Sequence, residues 1–179
     1  MGRLTDVGPA GLVPAAWLVT IGAHATTLVG ARTVFVALVV MDVLLAAFFV
    51  ASRGEMTGLL QTWQTVIILG LLANLVGTVD MALSPGFDPY LWVTLYAWML
   101  LPGVAYLSTG QAHDEAGLRR LYFGAGALSL AGAGLYALGH VGGVDPAATP
   151  VAGLAVVGVG QTAGIVTAVL QNAGRGGLW

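Results

Sequence analysis

The sequence predicts an all-α integral membrane protein, a six-transmembrane-helix bundle whose N- and C-termini are both cytoplasmic. Of the 179 residues, 58% are hydrophobic and only 8% are charged, whereas a soluble domain has about 25% charged residues. The mean hydropathy is +0.89. Glycine, proline and charged residues divide the chain into six apolar segments, each long enough to cross about 30 Å of hydrocarbon. We therefore interpret residues 1–179 as a single multi-pass domain of the cell membrane, surrounded by lipid.

The six predicted helices follow one another with short connections. The link at 30–32 predicts a tight turn between helices 1 and 2, which should be antiparallel neighbours. Segments 84–89 and 142–146 combine Gly, Pro and Asp, and such clusters end helices. The approximate helix bounds are 11–29, 33–52, 58–83, 89–109, 119–141 and 150–171.

The positions of the arginines predict the orientation. Cytoplasmic loops of membrane proteins carry an excess of Lys and Arg. On one side of the predicted bundle lie the N-terminus, loops 2–3 and 4–5 and the C-terminus, and together they hold Arg3, Arg53, Arg119, Arg120 and Arg175. The other side holds only Arg32. This distribution predicts that both termini are cytoplasmic.

Asp42 is the strongest indication of a functional site. It lies at the middle of the second apolar run, where a carboxylate costs about 2.5–3.5 kcal/mol even on lenient insertion scales. Acidic residues at this depth face other helices or a wet cavity and mark functional sites. The rise of about 1.5 Å per residue puts Gln161 near the same level, with Asn74 and His24 about 5 Å nearer the outer surface. We expect Asp42, Asn74, His24 and Gln161 to form a ligand or proton site in the outer half of the bundle.

Three further polar residues are predicted at the outer rim. Asp80 and His140 fall about 13–15 Å from the midplane, and Arg32 lies near the same surface. Intramembrane charges usually pair, so Asp80 and Arg32 could form a structural clamp. In contrast, the run His113-Asp114-Glu115 lacks the spacing of a metal motif and predicts a solvated loop.

Helices 5 and 6 carry small residues at intervals of four. Small residues let helix backbones approach closely in lipid, where no hydrophobic force drives association. The pattern predicts packing of helix 5 on helix 6, or alternatively self-association or docking of another membrane subunit. The residues are Ala125, Ser129, Ala133 and Ala137 on helix 5, and Gly160, Gly164 and Ala168 on helix 6.

Three functions are consistent with these features. The first is a transport-type protein that binds a small solute or relays protons at Asp42. The second is a redox subunit linked to haem b or a quinone, with His24 and His140 as iron ligands. The third is an accessory subunit of a larger membrane complex, without chemistry of its own, in which the polar residues connect helices.

Several classes are disfavoured by what the sequence lacks. It contains no Cys and no Lys, which excludes disulfides, thiolate metal sites and a lysine Schiff base. It contains no phosphate-binding glycine loop, no HExxH motif and no nucleophile elbow. We therefore expect a non-enzymatic protein that does not bind nucleic acid.

Overall fold

A computed structural model describes residues 2–52, 54, 58, 60–84, 90–141 and 145–174. These residues form six helices and no strand, which confirms the all-helical prediction. The helices are α1 (Gly2–Ala25), α2 (Ala31–Ser52), α3 (Leu60–Leu83), α4 (Tyr90–Gln111), α5 (Ala116–Val141) and α6 (Ala148–Gly174).

The predicted bounds of α2 to α6 agree with the structure to within three residues, whereas the bounds of α1 do not. Helix α1 begins nine residues earlier than predicted and ends four residues earlier. At its end, the Thr26 hydroxyl donates to the Gly22 carbonyl at 2.8 Å and accepts from the Leu28 N–H at 3.2 Å. Hydroxyl groups that bond to nearby backbone in this way favour turns over helix. The link between α1 and α2 therefore spans residues 26–30 rather than a turn at 30–32.

Five of the helices, α2 to α6, are long and apolar enough to cross a membrane. Within the described residues, α1 contributes a shorter apolar stretch, Ala10–Ala25. This composition supports a multi-pass membrane bundle, because lipid is the solvent that such surfaces require. Which membrane holds the protein, and which way its termini face, stay predictions.

The helices pack in the order α2–α3–α4–α5–α6–α1 around the bundle. Each helix from α2 to α5 contacts the next one in sequence, and α1 packs against α6. Helices α1 and α2 barely touch, although they are consecutive. They are therefore the two ends of an open ring, and the prediction that they pack as neighbours is wrong because α1 finds its partner in α6.

The closest helix contact is between α5 and α6, and glycines make it possible. A Cβ atom built on Gly132 would lie 2.6 Å from the Gly153 carbonyl, and one on Gly153 would lie 2.6 Å from the Tyr136 backbone nitrogen. Of the predicted packing residues, Ala125, Ser129, Ala133, Gly160 and Gly164 are buried within the chain, and Ala137 and Ala168 are half-buried. These small residues therefore lie largely inside the bundle.

Candidate functional site

Asp42 lies between α2 and α3 and accepts hydrogen bonds from two side chains of α3. Asn74 donates through Nδ2 to Asp42 Oδ1 at 2.8 Å, and Thr78 donates through Oγ1 to Asp42 Oδ2 at 2.6 Å. Residues 74 and 78 are one helical turn apart and therefore point to the same side of α3. Asn74 Nδ2 also donates to the Leu38 carbonyl at 3.1 Å, one turn before Asp42 on α2. Both carboxylate oxygens are thus paired.

The Thr78 hydroxyl has two possible acceptors. It lies 2.6 Å from Asp42 Oδ2 and 3.1 Å from the Asn74 carbonyl oxygen. When Asp42 is ionised, Thr78 donates to the carboxylate. When Oδ2 is protonated, Asp42 can donate to the Thr78 oxygen while the Thr78 hydrogen turns to the Asn74 carbonyl. A hydroxyl is both donor and acceptor, so this geometry satisfies both protonation states without moving a heavy atom.

Asn74 continues the polar contacts from α3 to α4. Its side chain is only 2% exposed, and its Oδ1 accepts a hydrogen bond from Trp98 Nε1 at 3.3 Å. Gly70 allows this approach, because a Cβ atom there would lie 2.8 Å from the Trp98 ring. Asn74 is therefore fixed on both sides, as a donor to Asp42 and as an acceptor from Trp98.

Gln161 on α6 compensates for a proline inside α4. In an α-helix the N–H of residue 102 would bond to the carbonyl of residue 98, but Pro102 has no N–H. Gln161 Nε2 donates instead to that Trp98 carbonyl at 2.7 Å. Membrane helices tolerate prolines when a neighbouring helix supplies the missing partner. One of the contacts between α4 and α6 thus replaces a missing backbone hydrogen bond.

The other groups of Gln161 are also occupied. Its Oε1 accepts from Trp17 Nε1 at 3.1 Å, and its backbone carbonyl accepts from the Tyr106 hydroxyl at 3.0 Å. Polar contacts therefore extend from Asp42 through Asn74 and Trp98 to Gln161 and then to Trp17. We call these five residues the polar chain; it connects α2, α3, α4, α6 and α1.

The two histidines of the predicted outer half lie apart from Asp42, on either side of Tyr136. His24 Nδ1 lies 2.9 Å from the Thr20 carbonyl. A carbonyl can only accept, so Nδ1 carries the hydrogen of the neutral ring, and Nε2 accepts from the Tyr136 hydroxyl at 3.0 Å. The His140 ring packs on Tyr136 with a centroid distance of 4.6 Å and on Trp92 at 5.0 Å.

This arrangement bears on the haem alternative. His24 could bind iron through Nε2 only by giving up its bond to Tyr136, and the Tyr136 ring contacts both imidazoles. A haem between His24 and His140 would therefore have to displace that tyrosine. The haem alternative stays a prediction that this geometry does not favour.

The structure brings only some of the predicted site residues together. Asp42 and Asn74 are in direct contact, whereas Gln161 reaches Asn74 only through Trp98. Asp80 makes no ion pair with Arg32, which is exposed to the surroundings. Sequence reasoning identified neither Thr78 nor the role of Pro102. The spacing of Thr78 from Asn74 and the position of Pro102 inside a predicted helix were the available signals.

A second group of polar contacts lies at the other end of the bundle, where α4 ends. His113 lies in the link between α4 and α5 as predicted but is half-buried rather than solvated, because its ring packs on Tyr122. Its Nδ1–H donates to the Thr109 carbonyl at 2.9 Å. Its Nε2 then accepts from the Gln171 amide at 3.3 Å, and Gln171 Oε1 accepts from the Tyr122 hydroxyl. Trp63 on α3 donates to Thr109 Oγ1 at 3.1 Å. These contacts connect α3, α4, α5 and α6, while Asp114 and Glu115 are exposed as expected.

Comparisons with known proteins assign no family. No protein-family model matches the chain, and neither the curated proteins nor the solved structures contain a chain with significant similarity to it. The function must therefore be argued from the residues of the site.

Proposed function

We propose that this protein is a small multi-pass membrane protein of transport type in which Asp42 binds and releases a proton. The observation that carries the proposal is the pair of acceptors available to the Thr78 hydroxyl, at 2.6 Å on Asp42 and 3.1 Å on the Asn74 carbonyl. A carboxylate that must change its protonation state within the membrane needs partners for both states, since an unsatisfied polar group there costs several kcal/mol. Thr78 provides these partners.

The position of Asp42 also supports proton exchange. Helix α2 has no buried residue and packs mainly on α3. Asp42 is half-buried, so its carboxyl lies at the edge of the bundle rather than in the closed core. In the orientation predicted from the arginines, the site belongs to the outer half of the membrane, and protons or a small solute would reach it from outside.

The experiment is a proton-flux measurement in liposomes that contain the purified protein and an internal pH-sensitive dye. A potassium gradient with valinomycin supplies the driving potential. We expect the wild type to acidify the interior and Asp42→Asn to abolish this flux. Asn keeps the shape of Asp and can still bond to Asn74 and Thr78, so the fold should be retained. Thr78→Val should slow the flux, because it removes the group that serves both protonation states.

The matched control is Asp145→Asn, which changes an exposed carboxylate in the link before α6 and should leave the flux unchanged. Full flux in Asp42→Asn would overturn the proposal, and so would a folded wild type without any flux under the imposed potential.

An accessory function is the second candidate, and a specific observation favours it. The side chains of the polar chain are hydrogen-bonded within the protein, as expected of residues whose task is to connect helices. This function predicts that the wild type carries no proton flux and that Asp42→Leu folds with unchanged or increased stability. Asn74 Nδ2 keeps the Leu38 carbonyl and the Thr78 hydroxyl keeps the Asn74 carbonyl as acceptors, so neither is left unpaired when the carboxyl is removed. Thermal unfolding of Asp42→Leu in detergent, measured beside the flux assay, separates the two candidates.

A further inference from the structure

Asp80 carries a carboxylate for which the described residues supply no partner. Its Oδ2 atom is enclosed by protein and accepts no hydrogen bond, although the residue is one turn from the end of α3. Of the arginines that the structure describes, Arg32, Arg119 and Arg120 are all exposed, and none reaches Asp80. The sequence has no lysine that could take their place. The other three arginines, Arg3, Arg53 and Arg175, fall on the opposite side of the membrane in the predicted topology. A cation for Asp80 would therefore have to come from outside the chain.

An apolar groove leads away from this carboxylate along the surface of α3. The groove is shallow and open, with a volume of about 410 Å³, and Asp80 is the single polar residue among the described residues that line it. The apolar lining consists of Leu72, Leu75, Val76, Val79 and Leu83. These five side chains are between 41% and 79% exposed in the isolated chain. The groove is thus open to the lipid along its length and acidic near one end.

We propose that this groove binds a phospholipid with a primary ammonium head group, the chemistry of phosphatidylethanolamine. The ammonium would pair with Asp80, while an acyl chain follows the groove toward Leu72. Eight residues separate the two positions, which corresponds to about 12 Å along a helix and so to most of one leaflet of the hydrocarbon core. A lipid with its head near the end of α3 and its tail along the helix matches both the polarity and the length of the groove.

The unpaired carboxylate selects among head groups. Only Oδ2 is enclosed, so a head group would approach Asp80 through Oδ1. A primary ammonium has three N–H donors and can reach such an oxygen at hydrogen-bond distance. A choline head group carries the same charge but no N–H, so it interacts with the carboxylate without a hydrogen bond. An anionic head group would be repelled. The groove should therefore prefer ethanolamine over choline lipids, and choline over glycerol lipids.

The test is native mass spectrometry of the purified protein in detergent, with equal amounts of ethanolamine, choline and glycerol phospholipids that share the same acyl chains. We expect the wild type to retain the ethanolamine lipid about fivefold better than the choline lipid, the factor of an ion pair worth roughly 1 kcal/mol. Asp80→Asn should abolish this preference. Asp145→Asn is the control, because it also removes an acidic group but one that lies outside the groove.

A second measurement needs no variant at that position. In the wild type, the mono-, di- and trimethylated ethanolamine lipids should bind in falling order as N–H donors are lost. Equal retention across this series, or an unchanged preference in folded Asp80→Asn, would overturn the proposal. A dimer that Asp80→Asn dissociates would overturn it as well, because the groove would then hold a second copy of this chain. None of these measurements depends on proton flux, so the proposal stands or fails independently of the function proposed for Asp42.

Discussion

The contact between Gln161 and the carbonyl that Pro102 leaves unpaired allows a quantitative prediction. Gln161→Met keeps the length of the side chain but removes its polar groups, so the Trp98 carbonyl loses its donor and the Trp17 N–H loses its acceptor. A buried group without a partner costs about 1–3 kcal/mol. Hydrogen bonds between membrane helices are worth about 0.6 kcal/mol on average and up to about 1.7. We therefore expect Gln161→Met to lower the free energy of unfolding by roughly 2–3 kcal/mol.

A change at Pro102 isolates the share that belongs to the carbonyl. Pro102→Ala restores a backbone N–H one turn after Trp98, and this N–H can bond to the Trp98 carbonyl inside α4. In the Pro102→Ala background, Gln161→Met should cost about 1 kcal/mol less than in the wild type, since only the Trp17 N–H is then left unpaired. Pro102→Ala also loses some packing by itself, but this loss occurs with and without Gln161→Met. It therefore cancels from the coupling energy between the two substitutions.

The assay is unfolding in mixed micelles with increasing sodium dodecyl sulfate, followed by far-ultraviolet circular dichroism. All four proteins of the cycle are compared at one detergent concentration and temperature. Gln171→Met is the matched control: Gln171 also lies on α6 but bonds to His113 and Tyr122 rather than to α4 backbone. Its effect should simply add to that of Pro102→Ala. If the effects of Gln161→Met and Pro102→Ala also add, then Gln161 does not replace the missing helix bond.

Two further predictions concern the start and the inner face of α6. Hydrogen bonds from the backbone N–H groups of Ala148 and Ala147, at the start of α6, lower the pKa of Asp145. The ionised Asp145 therefore stabilises the fold above the pKa of the unfolded state, and this stabilisation is lost as the pH falls through the pKa of the folded state. The melting temperature of the wild type should exceed that of Asp145→Ala at about pH 6 and approach it near about pH 3. Gly153→Ala would put a Cβ atom 2.6 Å from the Tyr136 backbone nitrogen and should lower the free energy of unfolding by about 1–3 kcal/mol in the same micelle assay. The control is Gly134→Ala, whose Cβ meets open space and which should be neutral or stabilising. Equal effects of the two glycine changes would contradict the close approach of α5 and α6.

The helices themselves were predictable because the membrane limits the possible structures. A backbone in lipid must satisfy its polar groups internally, so long apolar runs become helices. Turn residues then mark their ends, as at 84–89 and 142–146, and the bounds of α2 to α6 follow closely. The depth of a residue along a helix also follows from its position in the run, which is why Asp42 and Asn74 were expected near each other.

The direction in which each side chain points was not predictable in the same way. Depth alone grouped Gln161 and His24 with Asp42, but their angular positions depend on which helices are neighbours. Because α1 packs on α6 rather than on α2, His24 meets Tyr136 and Gln161 meets Trp17. The missing N–H of Pro102 was visible in the sequence, yet the residue that replaces it is 59 positions away and depends on the fold.

The packing order has a consequence for the synthesis of the protein. Chains emerge from the ribosome N-terminus first, so α3, α4, α5 and α6 each find the preceding helix already present. Helix α1 is the exception: its main partner, α6, is made only after the four helices that lie between them in the sequence. Until α6 is made, the Trp17 N–H has no Gln161 oxygen to which it can donate a hydrogen bond. Lipid or the insertion machinery contacts α1 during that time. The synthesis of α6, rather than the entry of α1, is therefore the step that lets α1 take its place in the bundle.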